Sequence, residues 1–333
     1  MNLKMTDYIK TASSILGNII GKEPYYNTYS RRSEFKSNWI IPLEKKEFKK
    51  DFLDLIKNLD VKSIDTIIKT IYRIKLTSST NFPVLFLFTE EEDSLIKKKR
   101  ESLKYVNKIS ENLYCYKNYF LPLNIFAYEG GVFFYKHMIS EVQNLSNIQN
   151  KAIIDVGSYI GDSVLVFNDL NPKKIYTFEA LPENFSLLVE TIKLNKVNNV
   201  VAINAALGNK NGYCKIHPNG LGTKLTSLNH SKQNNDVEVP IITLDSYVRK
   251  NNIDVGLIKT DIEGAERLFL EGAKETICTQ KPILLISIYH NYDDYFKIKP
   301  LIESWNLGYK FKIAKPADGG IISETLLVCE IMN

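Results

Sequence analysis

Residues 151–163 read KAIIDVGSYIGDS. A short apolar run, 151–156, stops abruptly at Gly157 and Gly161, and a polar start, Asp162-Ser163, opens the next segment. Apolar runs of this length bounded by glycine are buried strands, and a glycine turn feeding a helix brings backbone amides and the helix N-terminus up to a ligand. The spacing is D-x-G-x-x-x-G rather than G-x-G-x-x-G, with Ser158 at the third position. That favours an amino-acid carboxylate or amine over a pyrophosphate. Glu179 closes the following apolar run, 22 residues beyond Gly157. An acid at the tip of the neighbouring strand can accept both hydroxyls of a ribose.

Outward from this stretch the rhythm repeats. Apolar runs at 151–156, 174–179, 200–206, 255–261, 282–289, 309–314 and 324–331 alternate with helical patterns at 162–170, 183–196, 243–251, 264–280 and 293–306. Nearly continuous apolar strands separated by helices predict a parallel sheet covered on both faces. The last two runs are joined by a loop containing PADGG, too short for a crossover helix, so they should pair antiparallel. The expectation is a doubly wound, seven-stranded α/β sheet ending in an antiparallel hairpin, with residues 126–333 as its domain. Residues 1–125 read as a mainly helical extension that caps the site or mediates dimerisation. It has an amphipathic helix at the N-terminus, a helical pattern over 44–75, a buried strand over 82–88, and a helix over 89–108 opened by the Thr89/Glu92 capping-box spacing.

Composition narrows the function classes. Of 333 residues, 44% are hydrophobic and 24% charged, which describes a globular chain. The net charge of +5 is mild, and only six of the 43 basic residues are arginines, so nucleic-acid binding is not expected. Cys115, Cys214, Cys278 and Cys329 show no metal-type spacing and read as free thiols of a cytoplasmic protein. No apolar run is long enough to span a membrane.

Two further strand tips carry chemistry. The fourth strand runs into Lys259-Thr-Asp261-Ile-Glu263-Gly-Ala-Glu266, three acids at the ligand-binding edge. Acids in a first helical turn also simply offset the helix dipole, the plainer role for Glu263 and Glu266. The fifth strand ends in Tyr289-His290-Asn291. Of the four histidines, only His290 follows such a strand; His217 and His230 read as structural.

The pieces IIDVGSYIGDS, FEALPENF, NAALGNKNG, GLIKTDIEGAERLFLEGA and SIYHNYDD, in this order, resemble the FkbM family of S-adenosylmethionine (SAM)-dependent methyltransferases over about residues 130–330. The usual family pattern has Ala-Asn where this chain has Ser158-Tyr159. The resemblance implies that Asp155, Gly157, Ser158, Gly161 and Ser163 surround the methionine part of SAM and that Glu179 holds its ribose. It places Ala180, Asn184, Asn204, Ala205, Ala206 and Leu207 around the adenine, with Tyr135, Lys136 and His137 closing over the cofactor. It also implies methylation of a hydroxyl on a small molecule, a sugar or nucleotide-linked sugar that feeds surface-polysaccharide synthesis. Two mechanisms remain open for removing the hydroxyl proton. In one, His290 or Glu263 beside Asp261 is a general base. In the other, Asp261, His290, Glu263 and Asn291 hold Fe, Mn, Mg or Zn, since neighbouring strand tips lie about 4.8 Å apart. An NAD-dependent oxidoreductase or a non-catalytic SAM-binding module are the rival functions.

Overall fold

The computed structural model describes residues 35–79, 88–124, 126–219, 222–225 and 236–332. The expected N-terminal amphipathic helix, all but the last residue of the expected strand at 82–88, and His230 lie outside these.

The helical pattern over 44–75 is two helices, α1 (Phe48–Ile56) and α2 (Val61–Ser79). Lys57 turns extended, Asn58 takes a positive φ of 59°, and the Asp60 carboxylate accepts from the Ser63 amide, so the chain stops and restarts. The Thr89/Glu92 capping box is formed and opens α3 (Glu90–Ser102). This helix ends short of 108, because residues from Val106 onward enter a small antiparallel meander: β1 (Val106–Ser110), β2 (Leu113–Tyr116) and β3 (Tyr119–Leu121). Helix α4 (Phe126–Tyr135) leads into the main sheet.

That sheet is built from β4 (Ala152–Val156), β5 (Lys174–Phe178), β6 (Val200–Ile203), β11 (Val255–Thr260), β12 (Ile283–Ser287), β13 (Lys310–Ala314) and β14 (Leu326–Glu330). Its order is β13-β14-β12-β11-β4-β5-β6. Pairings from β12 through β6 are parallel, and β14 is antiparallel to both neighbours. This is the expected doubly wound sheet, and its strand order reverses between β4 and β11, where such sheets open a ligand crevice. Helices α5 (Asp162–Asn168), α6 (Pro182–Leu194), α7 (Leu244–Asn251), α8 (Glu266–Gly272), α9 (Lys274–Gln280) and α10 (Tyr292–Glu303) connect the strands.

The expected antiparallel hairpin forms one edge of the sheet, with β14 inserted between β12 and β13. Two details depart from the sequence reading. The run 200–206 is not one strand: it ends at Ile203, and β7 (Ala206–Leu207) joins a second sheet with β8 (Gly212–Asn219), β9 (Gly222–Leu225) and β10 (Val237–Ile242). The helix over 264–280 breaks at Ala273. Gly272 there packs so closely on the Gly208 carbonyl that a Cβ would lie 1.9 Å from it.

The core is continuous across residue 125. Trp39, Leu55, Ile67 and Ile74 are buried in the same cluster as Ile154, Leu284 and Leu327. Helix α1 packs on α10 through Phe48 against Phe296, edge to face at 5.8 Å, and Trp39 meets Tyr295 likewise at 5.7 Å. Helix α2 lies along β13, where the Ile313 amide donates to Ser63 Oγ at 2.9 Å. We expect Leu55→Ala to destabilise the whole chain by about 2–5 kcal/mol. Urea unfolding followed by intrinsic fluorescence and by circular dichroism should give one shared, lowered transition, and two separated transitions would contradict the continuous core.

Candidate active site

The crevice opens where β4 and β11 end side by side. Gly157, at φ 75°, approaches Asp261 so closely that a Cβ would lie 1.9 Å from the Asp261 carbonyl oxygen, so only glycine fits. Below this contact Asp155 and Lys259 are buried together, with Nζ 3.3 Å from Asp155 Oδ1 and donating to the Gly157 carbonyl at 2.8 Å. Burial opposes the charge on Lys259, but the carboxylates of Asp155, Asp261 and Asp162 outweigh it and raise its pKa. Ser163 Oγ donates to Asp155 Oδ2 at 2.6 Å, and Thr177 Oγ1 does so at 3.3 Å. Ser158 is buried with its hydroxyl on the Phe178 carbonyl, and Gly161 lets α5 close on Leu188 of α6. Of the five residues expected around the methionine part of the cofactor, only Gly157 lines the cleft. Asp155, Ser158, Gly161 and Ser163 hold the turn from behind, because the charge on Lys259 draws Asp155 into the sheet.

At the β5 tip, Glu179 lines the cleft and is nearly buried. Its Oε2 accepts from the Tyr159 amide at 3.0 Å and its Oε1 from the Leu181 amide at 2.9 Å. Burial raises its pKa to about 7 against these hydrogen bonds. The Asn184 side chain also hydrogen-bonds this carboxylate, which leaves one of its four lone-pair sites for a ligand hydroxyl. Asn204 does not face the cleft. Its amide donates to the Glu179 and Ala180 carbonyls and fixes the turn, while Ala180, Asn184, Ala205, Ala206 and Leu207 form the wall beyond.

At the other end, Asp261 faces the cleft from β11, and Tyr289 at the β12 tip donates to both its oxygens at 3.0 and 3.1 Å. His290 stands behind Asp261. Its Nε2 is 3.2 Å from Asp261 Oδ1 and its Nδ1 is 3.2 Å from Glu266 Oε1, with the ring 7% exposed. Glu266, fully buried, also accepts from the Ile262 and Gly264 amides. Burial disfavours the imidazolium, but Glu266 and Asp261 outweigh it, and the His290 pKa lies well above its ordinary value. In return, and against burial, His290 and Lys259 hold the Asp261 carboxyl far below the usual range. The set that converges is therefore Asp261, Glu266 and His290, with donor atoms within 4.8 Å of one another. Glu263 is looser, 3.9 Å from His290 Nε2, and lines the cleft. Asn291 is not brought in: its Oδ1 caps α10 on the Asp294 amide.

The roof comes from the turn after α4. Lys136, His137 and Met138 all have positive φ, between 48° and 53°, a left-handed turn without glycine. It stacks His137 on Phe167 at 5.3 Å and sets it on the cleft wall, where burial and Lys259 lower its pKa to about 4. Lys136 points away to Asp169, and Tyr135 donates to the Ala317 carbonyl. Sequence reasoning missed Lys259, Tyr289 and Glu324, the last lining the cleft from the β13–β14 connection. Lys259 carried a signal, because a lysine inside the wholly buried strand VGLIKT demands a buried acid.

Residues 155–311 match the family model described as the methyltransferase FkbM domain. Among solved structures, the fold is similar to a methyltransferase FkbM from Methylobacillus flagellatus KT at 16% identity and a TM-score of 0.56. The alignment covers 88% of this chain and 60% of that one, so this chain spans less than two thirds of its length. Weaker likenesses include precorrin-6y C5,15-methyltransferase from Geobacter metallireducens GS-15 (12% identity, TM-score 0.34, 57% of this chain and 85% of that one). M. jannaschii TYW2, solved in complex with AdoMet, is another (17%, 0.33, 67% and 85%). No curated protein matches.

Removing one member of a buried pair strands the other charge. We expect Lys259→Met to cost about 3–5 kcal/mol, and Lys259→Met with Asp155→Asn to recover most of it. Urea midpoints of the two variants measure both, and equal losses would refute the pairing.

Proposed function

We propose that this chain, whose residues 155–311 form a methyltransferase FkbM domain, is a SAM-dependent O-methyltransferase acting on a sugar hydroxyl. The observation that carries this is one cleft with two differently equipped ends: the Glu179 carboxylate with an open lone pair at the β5 tip, and the Asp261–His290–Glu266 series at the β11 and β12 tips. When bound, SAM supplies an electrophilic methyl group on a sulfonium. Glu179 accepts from the ribose hydroxyls. Ala180, Asn184 and Ala205 border the adenine, Gly157 offers its backbone to the methionine part, and His137 covers the site. Asp261, kept ionised by His290, accepts from the acceptor hydroxyl and aligns it. The hydroxyl proton passes to a second carboxylate of this end of the cleft, Glu263. His290 is a positioning residue in this scheme, because it lies behind Asp261 rather than on the cleft wall. Residues 1–125 shape the acceptor end, a role supported by the charge of Lys99 reaching Glu324. Any phosphate or nucleotide on the sugar lies outside the acid-lined part of the cleft.

The same cluster supports a second reading. One imidazole nitrogen and two carboxylate oxygens within 4.8 Å suit a divalent cation, with Asp261, His290 and Glu266 as its holders and the cation taking the place of the His290 proton. Elemental analysis decides this. If a cation is used, chelation removes it and abolishes turnover while SAM still binds; full turnover by metal-free protein leaves the carboxylate reading standing.

Calorimetric titration tests the cofactor. We expect SAM to bind, NADH not to bind, and Glu179→Ala to weaken SAM at least tenfold while the exposed Glu190→Ala leaves it unchanged. Because burial places the Glu179 pKa at about 7, the carboxylate gains charge as pH rises through 7. SAM affinity should therefore increase from pH 6 to pH 8, and the slope should flatten in Glu179→Gln. Binding of NADH in place of SAM would overturn the proposal.

A further inference from the structure

The cleft is lined by four carboxylates, Glu179, Asp261, Glu263 and Glu324, and by no lysine or arginine among the described residues. Its one basic side chain, His137, is held neutral near pH 7. Glu179 stands at the ribose end. The other three face one another across the β11, β12 and β14 end, where Asp261 is kept ionised and Tyr289 donates to it. Glu324 differs from its neighbours. Among the described residues its carboxylate makes no hydrogen bond or ion pair, although lysine is close by. Lys315, the nearer cation in sequence, is fully engaged by the Pro316 and Ser323 carbonyls and the Asp318 carboxylate. A carboxylate left without a partner on the wall of a cleft serves the charge of what enters it.

We propose that Glu324 is a specificity residue for the charge of the methyl donor, favouring the sulfonium of SAM over the neutral thioether of its product, S-adenosylhomocysteine. This rests on the SAM reading above. The physical cause is simple: the two molecules differ by one positive charge at the sulfur, and an unpaired carboxylate in a half-desolvated cleft distinguishes them, whereas a hydroxyl or amide does not. Asp261 is already committed to His290 and Tyr289, so its charge is largely answered by the protein. Glu324 is not, and it is the acid whose neutralisation the cleft should register most.

The experiment is calorimetric titration of the full chain with SAM and with S-adenosylhomocysteine at pH 8. That pH lies above the value of about 7 to which burial and the charges of Asp261 and Asp318 raise Glu324 against Lys315 and Lys99. In Glu324→Gln, the ratio of the product's Kd to that of SAM should fall at least fivefold, mainly through weaker SAM binding. Glu324→Asp, which keeps the charge, should hold the ratio within twofold of the parent, as should Glu190→Gln, which removes a distant exposed charge. Melting curves identify a variant that fails to fold, and the Glu324→Asp comparison then decides, because its ratio must follow the retained charge. An unchanged ratio in folded Glu324→Gln overturns the proposal. Failure of the parent to bind either molecule overturns the SAM reading instead, and the two failures cannot be confused.

Discussion

Two parallel strands, β4 and β11, must end in contact for this cleft to exist, and a buried lysine makes that contact tolerable. Carboxylates crowd the tips: Asp155 and Asp162 on one side, Asp261 on the other, with Gly157 pressed against the Asp261 carbonyl. Without Lys259 the like charges and bare carbonyls would face one another in a medium that screens poorly. Its ammonium bridges Asp155 and the Gly157 carbonyl and also stabilises the ionised form of Asp261. One side chain therefore couples the stability of the sheet to the charge state of the site above it. Buried ion pairs seldom add net stability over an apolar substitute. This one is better understood as fixing where two strand ends meet and which acid keeps its charge.

Strain gathers around the same cleft. Tyr159, Glu263, Glu324 and His137 line it, and all four adopt positive φ without being glycine. Such conformations cost about 1–3 kcal/mol each and persist where surrounding packing over-determines them. Tyr159 packs in a cluster with Phe133, Ile160 and Leu165, and His137 stacks on Phe167.

Much of this was legible in the sequence. Apolar runs of six to eight residues marked the strands, and a glycine or an acid marked the tips of the first, second and fourth, because a buried parallel strand has no polar face to obscure it. Glu179, Asp261 and His290 could be placed at the sheet edge for the same reason: a polar residue at the end of such a run has nowhere else to be. The depth of each residue was not legible. His290 and Asp261 read alike from the sequence, yet one faces the cleft and the other stands behind it. Asp155 read as a cofactor ligand because nothing local shows that its partner lies at Lys259, about a hundred residues on. Glu324 was hidden in a loop, where no periodicity marks which way a side chain turns. The insertion of β14 between β12 and β13 follows from pairing preferences spread over the whole sheet, which no segment carries alone.

That insertion has a consequence for how the chain is made. Helix α2 rests on β13, and the Ser63–Ile313 hydrogen bond closes a loop of 250 residues. Ribosomes work at about 5–20 residues per second, so roughly 12–50 seconds separate the synthesis of the two partners. Throughout that interval the apolar faces of α1 and α2 have no sheet to cover them. The nascent chain exposes these apolar faces before the strands that cover them have emerged. A chaperone that binds exposed apolar helices would find a client in this half-made protein, and release would be timed by the arrival of β13.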